Sequence, residues 1–186
     1  MSKFYVYAGI AASIVLIAFG VGSIYTGIDG RDRVRDDLAR EMIVGTDDSS
    51  IAGQKVDTGS EAQTFAAMMR KHTPESTEGL TYAQMGRFLD ENGNPTSDEA
   101  AAAKDPKTGR PVENGLRNLW VTSTALSTAL NTAYFAESVA TFAIVMGAAL
   151  LLVGTGFLVL IVRVLLPMTA GAKAERGAST AIPTTA

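Results

Sequence analysis

The chain has 186 residues, 47% of apolar type and 19% charged, and its 19 acidic and 16 basic side chains give a formal net charge of −3. It contains no cysteine and one histidine, which excludes disulfides, iron–sulfur clusters and cysteine-type zinc sites and leaves too few imidazoles for a zinc triad or a two-His, one-carboxylate iron site. Residues 28–136 hold 17 acidic against 12 basic side chains, a net of −5, a surface that does not favour nucleic acid.

Phe4 to Tyr25 is a 22-residue uncharged stretch with Phe4, Tyr5 and Tyr7 at one end and Tyr25 at the other. Aromatic residues at both rims are what a membrane-spanning helix carries. Ala18 and Gly20 would satisfy a small-residue cleavage rule, but the run exceeds the ~7–15 residues of a signal-peptide core, and we expect it to be retained. Small residues recur at four-residue spacing, Ala8 with Ala12, Gly9 with Ser13 and Ala18 with Gly22, and such pairs let helix backbones approach closely.

Residues 31–43 place Val34, Leu38 and Met42 on one helical stripe, with Arg33–Asp37 and Asp36–Arg40 at ion-pair spacing. Val44 to Gly59 breaks into short apolar pieces between glycines and aspartates and reads as loop or a brief strand pair. Two short helices are expected next. The first, 61–72, starts from a capping box of Ser60 with Gln63 and ends in Arg70, Lys71 and His72 before Pro74; the second, 82–89, starts from Thr81 with Gln84. Phe65, Met68 and Met69 on the first and Tyr82 and Met85 on the second form an apolar set able to fill a small core, or to line a pocket, since methionine serves both uses. Asp90 to Gly115, polar and rich in Pro, Gly and Asp, reads as an exposed flap. Its Asp90, Asn92 and Asn94 imitate the start of a calcium loop, but Pro95 stands where glycine is required and Ala101 where a bidentate glutamate is required.

Residues 116–166 are one long helix by this reading, with no proline and no glycine before Gly147. Ser123 to Tyr134 repeats a four-residue unit three times, STAL STAL NTAY, which lays Leu126, Leu130 and Tyr134 along one ridge and Ala125, Ala129 and Ala133 along the next, a helix–helix packing surface with its hydroxyls facing water or the backbone; the alternative is that the Ser and Thr columns coordinate a ligand. From Val139 to Val162 there are 24 uncharged residues, enough at ~1.5 Å per residue to cross a ~30 Å hydrocarbon core. Glu137 lies just outside this run as an interfacial carboxylate able to hold a partner's arginine, and Ala143 with Gly147 supplies another close-approach pair. Neither apolar run has an ionisable residue in its middle, so no ion relay is visible. The tail, 167–186, has no apolar periodicity and is expected to be flexible.

The sequence MIVGTDDSSIAGQKV, the Ala-rich segment ending in Lys71 and His72, EGLTYAQM, and TALNTAYFAESVATFAIVMGAALLLVGTGFLVL together resemble a group of short actinobacterial two-span membrane proteins of unknown function. The resemblance covers most of residues 35–160 without the 90–115 flap. Members of that group often carry the label aromatic ring-opening dioxygenase, an activity that needs a metal held by several histidines or a tyrosine and histidine set; this chain has His72 only. The resemblance therefore implies topology, not an enzyme.

The expected fold is mainly α. Two transmembrane helices, 1–27 and 139–166, continue into an extracytoplasmic helical stalk with a small, mostly helical cap, 28–138. Basic residues Lys3, Arg163, Lys173 and Arg176 at the outer flanks put both termini in the cytoplasm and the middle domain outside the cell membrane. With no catalytic, cofactor or metal set, the expected role is that of a non-enzymatic accessory or scaffold subunit. Its partners would be the lipid bilayer and a membrane protein or a second copy of the chain, docking through Leu126, Leu130, Tyr134, Glu137 and Gly147. The alternative is a membrane-anchored ligand-binding or sensing domain whose pocket is formed by Phe65, Met68, Met69, Tyr82 and Met85.

Overall fold

The structure, a computed structural model, describes residues 3–167; the flexible tail expected at 167–186 lies, beyond Pro167, outside the described residues. The protein is mainly helical. Helix α1 runs Lys3–Arg40, α2 Gly59–Ser76 and α3 Gly115–Leu160, the last followed by a π-helical turn at Ile161–Leu165; a two-residue antiparallel ribbon pairs β1, Phe88–Leu89, with β2, Pro95–Thr96. Two helices, Phe4–Arg40 and Gly115–Leu165, are long and apolar enough to cross a membrane, and only 17% of the most apolar window of each is buried within the protein. A soluble core helix would bury most of that window. The chain forms two compact units, one of residues 3–31 with 139–167 and one of residues 32–138.

In the first unit, buried positions recur every seven residues on both sides: Val6, Ser13, Gly20 and Gly27 on α1, and Ala140, Gly147 and Gly154 on α3 with Ile161 in the turn that continues it. A seven-residue period is the signature of two helices wound together left-handedly. The residues at these positions are mostly too small to be knobs, so the backbones themselves meet. A Cβ on Gly20 would stand 2.8 Å from the Gly147 carbonyl oxygen, and one on Gly147 would stand 2.6 Å from that of Gly20. The bulky partners drop into the spaces the glycines leave: Leu151 over Gly20, Ile24 over Gly147, Ile144 over Gly27 and Ile17 over Gly154. Ser13, fully buried, donates its hydroxyl to the Gly9 carbonyl (2.9 Å) and so needs no partner across the seam. Of the small pairs read from the sequence, Gly9, Ser13 and Gly147 belong to this seam, whereas Ala8, Ala12, Ala18 and Gly22 are exposed.

The second unit is built on a core of Leu38, Ile51, Val56, Ala62, Ala66 and Leu130, edged by Val34, Ile43, Phe65, Met69 and Ala133. The stripe on α1 reaches this core through Val34 and Leu38 but not through Met42. Helix α1 ends at Arg40, Met42 turns into the left-handed region (φ 52°) and is exposed, and Ile43 takes the place expected of it. Arg40 pairs with Asp37, not with the Asp36 carboxylate, and donates from Nε to the Asp36 main-chain oxygen (3.2 Å). The 44–57 segment is knitted by short bridges, Gly45 N–H to the Gln54 carbonyl (2.9 Å) and Val56 N–H to that of Ile43 (2.9 Å).

Helix α2 begins two residues before the expected start. Its capping box is Thr58 with Glu61, not Ser60 with Gln63: Glu61 Oε2 accepts the Thr58 amide (2.9 Å), and Thr58 Oγ1 accepts the Glu61 amide (3.4 Å). It also continues through Pro74 to Ser76, because a proline so near the end removes only the hydrogen bond to the Arg70 carbonyl. The helix expected at 82–89 is absent. Gln84 Oε1 does accept the Thr81 amide and hydroxyl (2.9 and 2.8 Å), but the turn stops there. Gly86 is pressed against the backbone of Thr96, where a Cβ would meet the Thr96 nitrogen at 2.5 Å, and Phe88 is drawn into the ribbon. The 90–115 flap is exposed over most of its length yet laced by backbone bonds: Leu89 N–H to the Val112 carbonyl, Ala103 N–H to that of Leu89 and Val112 N–H to that of Ala103. Asn114, buried, closes it. Its Nδ2 donates to the Gly86 carbonyl (3.0 Å) and its Oδ1 accepts the Leu116 amide (3.1 Å), capping α3.

The seam gives a direct test. Gly20→Ala or Gly147→Ala forces the helix backbones apart and costs about 1–3 kcal/mol, whereas Gly22→Ala, with nothing near its added methyl, is neutral or stabilising by up to about 1 kcal/mol. Unfolding of the full chain in detergent measures all three; equal effects at positions 20 and 22 would contradict the close contact.

Candidate functional site

The 32–138 unit converges on one carboxylate. Glu137 projects from α3 and is almost fully buried. Its Oε1 accepts both Arg35 Nε (2.7 Å) and the terminal nitrogen of the same guanidinium (2.6 Å), while its Oε2 accepts the amide of Gly59, the first residue of α2. Three helices are thus tied at one side chain. The arrangement follows from charge: a buried carboxylate needs compensation, here from a guanidinium and the positive end of a helix. It also dictates glycine at 59, where a Cβ would lie 2.8 Å from Glu137 Oε2 and 2.9 Å from Tyr134 Cα. Burial of Glu61 opposes its ionisation, but hydrogen bonds from the Thr58 hydroxyl and the Asp57 and Thr58 amides outweigh this and hold its pKa below the usual range.

Beside this knot α1 and α3 leave an open cleft of about 470 Å³. Its walls are Val34, Leu38 and Ile43 on one side and Leu126, Ala129, Leu130, Thr132, Ala133 and Ala136 on the other, with Asp37 and Glu41 at the edge. The repeat of α3 is therefore divided. Leu130 is buried in the core, while Leu126 and Tyr134 are each about a third exposed. Glu137, expected at a rim with a partner's arginine, holds the chain's own Arg35. Gly147 belongs to the first unit's seam.

The Met and aromatic set does not converge on one place. Phe65 and Met69 pack on the core edge, Met68 Sδ accepts the Thr46 hydroxyl (2.7 Å), Met85 is buried, and Tyr82 lies beneath the Arg117 guanidinium at 4.0 Å from its ring centre. The calcium-like start at Asp90 is spent on its own turn: Asp90 Oδ1 accepts the Asn92 and Asn94 amides (2.8 Å each), which holds its pKa down. Arg35 and Gly59 escape a reading of sequence alone, although Thr58 three residues before Glu61 is a capping signal that would have located α2's start.

His72 is bracketed by two carboxylates. Nε2 lies 2.5 Å from Asp48 Oδ2, and Nδ1 lies 2.8 Å from Glu75 Oε2. Nδ1 is hydrogen-bonded to Glu75, while Nε2 meets Asp48 as a charge contact without hydrogen-bond alignment, and the imidazolium is the form whose charge complements both carboxylates. The Glu75 and Asp48 carboxylates accordingly raise the pKa of His72 above the ordinary 6.5, and the Thr46 hydroxyl and His72 lower that of Asp48. The carboxylates sit on opposite sides of the ring and cannot meet at one ion. No group of three or more metal-ligating side chains occurs among the described residues. The bracket fastens the 44–56 segment to α2.

A scan against protein-family models found no match, and searches of curated proteins and of solved structures found none either.

The His72 bracket sets a pH dependence. A raised folded-state pKa contributes stability that is fully present below the unfolded value and lost as pH rises through the folded one. Amide exchange at Gly45 and Gly53 is expected to accelerate, beyond the intrinsic base dependence, as pH climbs above 6.5 through the raised pKa of His72, and His72→Gln removes that extra acceleration. Identical profiles for the two proteins would contradict the bracket.

Proposed function

We propose that the chain is a non-enzymatic integral membrane protein that serves as an accessory or scaffold subunit. Helices α1 and α3 cross the cell membrane, both termini are cytoplasmic, and 28–138 lies outside, where a membrane-protein partner or a second copy docks. The membrane assignment is supported by the outward faces of the two helices: Phe4, Phe19 and Tyr25 on α1 and Phe142, Leu152 and Phe157 on α3 are all more than half exposed, a surface suited to lipid rather than water.

The observation that carries the scaffold reading is the cleft between α1 and α3. Its walls are alanine-rich and apolar except for Thr132, its volume is about 470 Å³, and its charged edge is Asp37 and Glu41. Alanine columns beside leucines accept a helix at close range. Asp37 is already paired with Arg40, so the edge offers orientation to a docking segment rather than a reacting group.

Two experiments test the reading. Because the chain has no cysteine, Ser97→Cys, in the exposed flap, reports its side of the membrane alone; we expect a membrane-impermeant maleimide to label it in intact cells, and labelling only after lysis would contradict the orientation. Native mass spectrometry of the full chain in mild detergent should show a defined complex or homo-oligomer that Ala129→Trp, which fills the cleft, dissolves at unchanged thermal stability. A monomer with no stoichiometric companion, or a complex indifferent to Ala129→Trp, would contradict docking in the cleft.

A further inference from the structure

Helices α2 and α3 leave a second groove, on a different face of α3 from the cleft. Two hollows of about 280 and 430 Å³ share Arg70 as a common wall. The first column of the STAL repeat, Ser123, Ser127 and Asn131, lines them, with Trp120 at one end.

The hydroxyls of the repeat behave differently by column. On the neighbouring column Thr124 lines the first hollow, while Thr128 and Thr132 satisfy themselves within the helix, Thr128 Oγ1 donating to the Thr124 carbonyl and Thr132 Oγ1 to that of Thr128, both at 2.8 Å. Ser127 does not. It is only 3% exposed and lines the first hollow, and among the described residues its hydroxyl has no hydrogen-bond partner. The Ser127 Oγ is open to the hollow rather than sealed inside the protein, so it is placed to hydrogen-bond whatever occupies that hollow.

Charge narrows the ligand. Arg70 is exposed and forms no ion pair among the described residues, and no carboxylate lines either hollow. A guanidinium in that position recognises a carboxylate through two parallel hydrogen bonds. Trp120 adds a flat apolar face, which an inorganic anion would leave unused and a ring would cover. The absence of lining acids disfavours amines and other cations.

We propose that this groove binds a small organic carboxylate bearing a ring, with Arg70 holding the carboxylate, Ser127 and Ser123 hydrogen-bonding the ligand from α3, and the Trp120 indole covering its apolar face. The inference is independent of the scaffold reading and of how the helices meet a membrane.

Trp120 is the chain's only tryptophan, so its emission reads the groove directly. Titration of the full chain in detergent with benzoate and cyclohexanecarboxylate should give a saturable change in emission, and benzylamine and cyclohexylamine should give none. Arg70→Gln, at an exposed position that leaves folding intact, should weaken the carboxylates about tenfold or more. Ser127→Val, which removes the hydroxyl and fills the hollow, should abolish the response. No saturable response to either carboxylate, amines as effective as carboxylates, or an unchanged midpoint in Arg70→Gln would each overturn the proposal.

Discussion

A single buried carboxylate fixes the geometry of the 32–138 unit. Glu137 takes a guanidinium from α1 and the first amide of α2, so α1, α2 and α3 each have one position defined relative to the other two. Apolar packing alone would not give that definition, since the core residues of α2 are Ala62 and Ala66, small side chains that slide as easily as they pack. The cost of burying charge is what makes the contact selective. A slip of α2 by one residue would leave Glu137 facing Arg35 without its second donor, and burying a half-satisfied carboxylate is unfavourable by several kcal/mol in order of magnitude (~3). Gly59 and the Thr58–Glu61 box serve the same contact by letting the start of α2 press against Tyr134 and Glu137.

The first unit solves a different problem. Its helices are apolar nearly all round, so hydrophobicity cannot say which face meets which; in a lipid environment it would supply no drive toward contact at all. Shape does the selecting. Glycine or another small residue every seven positions opens a groove into which Ile17, Ile24, Ile144 and Leu151 fit, and the reciprocal approach of Gly20 and Gly147 leaves no room for even one methyl. The outward small residues Ala8, Ala12, Ala18 and Gly22 lack such facing side chains, and spacing alone does not distinguish the two sets.

What could be read from the sequence follows from which interactions are local. The long helix through 116–166 and the apolar stretch from Phe4 are legible because composition and the absence of breakers act over many residues. Helix starts are less so: Thr58–Glu61 and Ser60–Gln63 have the same spacing, and tertiary contact at Gly59 decides between them. The segment from Tyr82 to Leu89 has helical spacing, yet Gly86 packed on Thr96 and the bridges of Phe88 give it to the ribbon. Met42 follows the stripe by spacing, but the helix has already ended. At the site, the STAL repeat announced a packing ridge; only the structure separates Thr128 and Thr132, bonded within the helix, from Ser127, which faces a hollow. Arg35, one of four arginines in a short charged run, carries no local sign that it faces a carboxylate 102 residues away.

Two surfaces therefore leave α3 in different directions with different chemistries, an alanine-lined apolar cleft toward α1 and a hydroxyl-lined groove toward α2. Both depend on the three helices staying in register. The measurement that tests this most directly is a double-mutant cycle on unfolding of the full chain, with Arg35→Ala, Glu137→Ala and the pair, followed by amide exchange along α2. The account predicts a favourable coupling of about 1–3 kcal/mol, with the first turn of α2 losing protection in every variant that lacks Glu137. Additive effects, with α2 exchange unchanged, would mean that packing alone positions the helices and that Glu137 does not tie them.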